Sequence, residues 1–120
     1  MLCKGSDIMN KYKWRICIKD AFNHCENIYP IQQKKVKTLL DEIKNNQYVK
    51  KIVIFGSSVT PACHIGSDVD VYVELDKNIS KKDLISDSLN FVYDLWTNYM
   101  VDERLLNEIN EKGLVVYERV

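Results

Sequence analysis

The chain has 120 residues, a hydrophobic fraction of 46% and 17 basic against 17 acidic side chains, so its formal net charge is zero. That is one domain's worth of chain with enough apolar residues for an ordinary core. The balance removes any global reason to expect a nucleic-acid binder, no stretch approaches the ~20 apolar residues of a membrane span, and the N-terminus shows no signal-peptide pattern.

Residues 1–9 read as a loose end. In 10–29, Tyr12, Trp14, Ile16 and Ile18 alternate like a strand, whereas Trp14, Ile18, Ala21, Phe22, Cys25 and Tyr29 fit one helical face. The helical pattern lasts longer, so a helix is expected there, ended by Pro30. Residues 31–46 form an amphipathic helix with Val36, Leu39, Leu40 and Ile43 as its apolar stripe and lysines opposite. A strand is expected at about 50–55, stopping at Gly56, followed by a short helical turn and loop over 57–67 and a second strand at 69–75. Ser80, with Asp83 three residues on, caps a helix expected over 80–89. Residues 91–97 are aromatic and β-branched and predict a third strand; a longer helix through Ile85, Leu89, Val92 and Trp96 competes. A charged helix over 102–112 buries Leu105, Leu106 and Ile109, Gly113 ends it, and 114–117 is a short terminal strand. The order predicts an α/β or α+β domain with a small sheet flanked by helices. Residues 31–120 are expected to form that domain and 1–30 an N-terminal extension.

The four cysteines form no Cys-x-x-Cys pair and the two histidines complete no zinc-ligand spacing. They read as reduced thiols of a cytoplasmic protein, mostly small buried hydrophobes.

The chemistry concentrates at Gly56-Ser57 and at Asp68-Val69-Asp70. On a strand, residues two apart share a face, so both carboxylates converge while Val69, Val71 and Val73 turn to a core. A hard cation such as Mg²⁺ takes one or two protein carboxylates plus phosphate oxygens, and two such ions can bridge the oxygens of an in-line displacement. A glycine after a buried strand lets backbone approach a ligand, and a helix opening at Ser57 or Ser58 would attract phosphate. Either half alone is common; an apolar strand leading into Gly-Ser, then Asp-x-Asp opening the next strand, is a stronger signal.

The stretch IVIFGSSVTPACHIGSDVDVYVEL, residues 52–75, resembles the minimal nucleotidyltransferases of the DNA polymerase beta-like superfamily. The ending Glu108-Ile109, Gly113, Leu114-Val115-Val116-Tyr117 is similar to that family's closing helix, glycine and strand, and the resemblance covers about 31–120. It implies a polymerase beta-like nucleotidyltransferase fold with a mixed sheet, Asp68 and Asp70 as catalytic metal ligands, and Gly56, Ser57 and Ser58 at the nucleotide phosphates. It also implies a third carboxylate on a later strand, a metal ligand or the base for the acceptor hydroxyl. Asp94 is assigned to that role, with Asp102 its rival at the start of the last helix. One departure stands out: relatives often carry a basic residue directly after Gly-Ser, where this chain has Ser58, so the triphosphate charge falls to backbone groups, metals or a lysine elsewhere such as Lys77. His64 reads as a solvated loop residue, and Trp14 and Trp96 as packing.

The resemblance implies an enzyme that uses Mg²⁺, two ions, to move a nucleoside monophosphate from ATP or another NTP to a hydroxyl. With little chain left for a substrate-binding domain, it leans towards the stand-alone type that works beside a helical partner, a HEPN-like toxin whose tyrosine it modifies as an antitoxin. The alternative is a catalytically weak or inactive module of the same fold that binds a partner protein. The pattern fixes no oligomeric state.

Overall fold

The structure is a computed structural model; it describes residues 12–85 and 88–119. Four strands, β1 Val49–Phe55, β2 Val69–Leu75, β3 Tyr93–Thr97 and β4 Leu114–Glu118, make one mixed sheet in the order β3-β2-β1-β4. β1 runs antiparallel to both β2 and β4, and β2 runs parallel to β3. Helices α1 (Pro30–Ile43), α2 (Lys81–Leu84) and α3 (Glu103–Lys112) complete the fold. This is the mixed α/β architecture the sequence pattern predicts. Among the described residues no helix is long and apolar enough to cross a membrane.

The strand period of two sorts side chains onto two faces. Ile52, Ile54, Val69, Val71 and Val73 turn one way and bury against Val36, Leu39, Leu40 and Ile43 of α1. At roughly 1.5–3 kcal/mol for each large aliphatic side chain removed from water, this is the main core. Val53, Phe55 and Tyr72 turn the other way and meet Ile109, with Trp96, Leu105 and Leu106 packed alongside. The sheet is therefore the middle of three layers, and Asp70 lies on the α3 side with Tyr72.

The helix expected over 10–29 is not formed among its described residues. From Tyr12 to Tyr29 the chain is irregular apart from one 3-10 turn at Cys25–Asn27, entered through His24 at φ 68°. The reason lies in α1. Gln33 is fully buried; its Nε2 donates to the carbonyls of Arg15 (2.9 Å) and Ile28 (3.0 Å), and its Oε1 accepts from Cys17 N–H (2.7 Å). Trp14 N–H donates to Glu26 O at 2.7 Å, and the Trp14 ring meets Tyr29 edge-on at 5.3 Å. Backbone groups held in this way are unavailable to a helical ladder. Cys25 and Cys63 are buried as expected, whereas Cys17 is exposed.

The helix expected over 80–89 is shorter than its pattern. Ser80 Oγ accepts from Asp83 N–H as predicted, but the chain leaves the helix at Ile85, which is extended (φ −130°) and buried beside Leu84. Residues 86–87 lie outside those described. β3 then forms where the aromatic and β-branched run predicts it, and the longer-helix alternative fails.

Candidate active site

Gly56 closes β1 and carries φ 76°, in the left-handed region that an L side chain rarely adopts. A Cβ there would overlap Asp70 Oδ2 and lie 3.2 Å from Asp70 Cγ. The glycine thus serves twice: it permits the turn, and its missing side chain is the space the Asp70 carboxylate occupies.

Across the sheet, Asp70 pairs in register with Asp94 of β3. Asp70 is half-buried and Asp94 exposed. The Asp70 carboxyl is pushed up to about 6, first by burial, then by the charge of Asp94, then by that of Asp68, with a hydrogen-bonding contact to Asp94 adding to the rise. Like charges brought together out of water disfavour ionisation, so Asp94 and Asp68 add to the effect of burial on Asp70. Asp68, two positions earlier and exposed, is the outer member. Among the described residues no three such side chains stand already closed around a metal position. The pair Asp70–Asp94, with Asp68 at its edge, nonetheless offers only hard oxygen donors, the chemistry Mg²⁺ selects.

Asp102 goes elsewhere. Its carboxylate accepts from Leu105 N–H at 2.8 Å and caps α3. Asp94, not Asp102, is the acidic residue aligned with Asp70.

The Gly-Ser turn departs from expectation in two respects. Gly56–Val59 is one 3-10 turn rather than the start of an α-helix, so no long macrodipole points at the site. Ser58 is also fully buried: its Oγ accepts from Gln32 Nε2 at 3.2 Å and its carbonyl from Tyr29 N–H at 2.8 Å. The Ser58 side chain is therefore a structural tie and not a phosphate ligand. Ser57 is half-buried, and its hydroxyl has no hydrogen-bond partner among the described residues. Lys77 is also misplaced for phosphate. It follows the far end of β2 and lies over the Tyr48 ring at 5.2 Å. His64 is an exposed loop residue whose Nδ1 accepts from Gly66 N–H at 3.2 Å.

Sequence reasoning missed Gln32. Fully buried, it donates through Nε2 to Ser58 Oγ, to Ser67 O (3.1 Å) and to Asp68 O (3.4 Å). One amide thereby ties the Gly-Ser turn to the backbone that carries Asp68. The available signal was its position four before Val36, a polar residue on the apolar stripe of α1.

A family model described as nucleotidyltransferase domain matches residues 36–117. No curated protein matches the sequence. Among solved structures, the chain is similar to a toxin-antitoxin structure with AMP-PNP, at 21% identity and a TM-score of 0.57 over 72% of this chain and 73% of that one. It is similar to a toxin-antitoxin MntA-HpeT mutant at 18% identity and a TM-score of 0.56, again over 72% and 73%. A third similarity, at 20% identity and a TM-score of 0.50 over 72% and 69%, is to a tri-AMPylated Shewanella oneidensis HEPN toxin in complex with MNT antitoxin. These likenesses share the fold, and the family match spans most of the chain and both halves of the Gly-Ser and Asp-x-Asp pattern. The chain belongs to the nucleotidyltransferase-domain family.

Proposed function

We propose that the protein is a metal-dependent nucleotidyltransferase that moves AMP from ATP to a hydroxyl of a partner protein. The observation that carries this reading is the alignment of Asp70 with Asp94 beside the Gly56 bend. Asp68, Asp70 and Asp94 would hold the divalent ions, which supply charge neutralisation for the transferring phosphoryl group. Gly56 lets the phosphates lie against backbone, and the Ser57 hydroxyl, without a partner among the described residues, donates to a phosphate oxygen. The acceptor oxygen bonds to the α-phosphorus as the bond to the bridging oxygen of pyrophosphate breaks. The acceptor's proton passes to the exposed Asp94 carboxylate, and pyrophosphate leaves.

The acceptor reading draws on the solved relatives, one of which is a HEPN toxin bearing AMP beside its MNT antitoxin. We take the acceptor to be a tyrosine of a HEPN-like helical toxin, and the protein to be its cytoplasmic antitoxin. The test is co-expression with a HEPN-like helical toxin, followed by intact-mass spectrometry. The expected result is addition of AMP to a partner tyrosine that requires ATP and Mg²⁺ and is lost in Asp70→Asn. Protection against the toxin that persists in Asp70→Asn, with no nucleotide added, would establish instead a non-catalytic binding module.

A further inference from the structure

We propose that Lys112, in the last turn of α3, binds the outer phosphates of the nucleotide. The inference rests on the nucleotidyl-transfer reading above and deepens it.

The argument begins with the sheet order β3-β2-β1-β4, along which the site residues are ranked. Asp94 is on β3, Asp68 and Asp70 are at β2, Gly56 ends β1, and Gly113 immediately precedes β4. A nucleotide held at those carboxylates would carry its two remaining phosphates past the backbone of Gly56 and Ser57, which also line a groove that the carboxylates themselves do not line. There the Gly56 backbone bends beside the Asp70 carboxylate, and the Ser57 hydroxyl has no hydrogen-bond partner among the described residues. The groove has a volume of about 1030 Å³ and is lined among others by Gly56, Ser57, Thr60, Lys112 and Gly113. The same groove has Glu108 and Glu111 on its wall, and Lys112 is the one cation among its described lining residues.

Lys112 is also uncommitted. Among the described residues it forms no ion pair, although Glu108 precedes it by one helical turn. Other lysines are engaged elsewhere: Lys51 with Glu74, Lys77 over Tyr48, and Lys81 over the ring of Tyr93, the neighbour of Asp94, at 4.7 Å. Pyrophosphate carries several negative charges as it departs, and the turn that could have supplied a cation supplies the buried Ser58 instead. An exposed lysine on the same groove as Ser57 meets that need as a point charge. Without a ligand role, a lysine in a final helical turn would only complement the helix dipole, and the two roles separate experimentally.

The experiment is calorimetric titration of the full chain, Lys112→Gln and Lys112→Arg with ATP and with AMP, each with Mg²⁺. Loss of one charge-assisted contact weakens ATP binding to Lys112→Gln about 10-fold or more, leaves AMP binding and the thermal midpoint unchanged, and is largely restored in Lys112→Arg. The salt dependence of ATP affinity becomes shallower in Lys112→Gln. Unchanged ATP affinity in Lys112→Gln, or equal losses for ATP and AMP, overturns the role of Lys112 while leaving nucleotidyl transfer intact. Wild-type protein that binds neither nucleotide overturns the functional reading itself, and this inference with it.

Discussion

Asp94 stands directly opposite Asp70 on the neighbouring parallel strand, and its charge helps to raise the Asp70 carboxyl. The register, not the spacing in sequence, makes them one site: 24 positions apart in the chain, they become adjacent because β2 and β3 run parallel from the same end. Asp102, eight positions further on, is spent on the α3 N-cap. The two acidic residues should therefore fail differently when altered. Asp94→Asn should lower nucleotide transfer by more than the roughly 10–100-fold that even outer-shell partners of a metal cost, with unchanged denaturation behaviour. Asp102→Ala should lose about 1 kcal/mol of stability in urea melts, the usual value of such a cap, and keep its rate per folded molecule. The reverse pattern would move the third carboxylate to Asp102.

The crowded carboxylates also fix a pH dependence for the metal-free protein. Asp70 titrates at about 6 in the fold against 3.8 when unperturbed. Between those values the folded state binds more protons than the unfolded state, so stability falls as pH rises through that window. Above pH 6 both states are ionised and the penalty is complete; below pH 4 it is absent. Asp70→Asn, without metal, should therefore melt higher than wild type at pH 7.5, with the gain shrinking to nothing near pH 4. A gain that grew on acidification would contradict the repulsion inferred between Asp70, Asp94 and Asp68.

Much of this arrangement was legible in the sequence because short-range patterns carry it. The two-residue period of β2 puts Asp70 on the face opposite Val69, Val71 and Val73, and burial on both faces of β1 made its end at Gly56 easy to place. What the sequence hid depended on partners distant in the chain. The helical pattern of 10–29 lost to the side chain of Gln33, whose amide takes backbone groups a helix would need. Ser58 looked like part of a phosphate turn, but a serine's burial is decided by what packs above it, here Gln32 and the Tyr29 backbone. Lys77 was misjudged because nothing local records that a strand's two ends are a full strand length apart, roughly 20 Å for six or seven residues.

Gln32 offers a test of how the turn is held. Its Oε1 is buried without a partner among the described residues, a costly state. The fold carries that cost while Nε2 holds Ser58, Ser67 and Asp68 together. Gln32→Ala should leave those acceptors unpaired and cost about 1–3 kcal/mol in urea melts. As a positioning residue it should also lower kcat more than it raises KM for ATP, because the carboxylates and the turn lose their alignment after the nucleotide has bound. A stability loss with kcat per folded molecule unchanged would make Gln32 a packing residue only.

Gly56→Ala probes the same junction from the other side. The left-handed backbone alone should cost about 1–2 kcal/mol for any L side chain. The added methyl also claims the volume of Asp70 Oδ2, and the carboxylate must swing away from the bend. The variant should thus lose metal-dependent nucleotide binding by more than its stability loss predicts. Gly113→Ala is the control. Gly113 has an ordinary φ of −77°, and its Cβ would overlap Ile109 O and Val53 Cγ1 rather than any site residue. It should destabilise the α3–β4 junction, yet bind Mg²⁺ at the carboxylates normally in the fraction that folds. Comparable binding losses in both variants would show that general loosening of the fold, and not the contact between Gly56 and Asp70, governs the site.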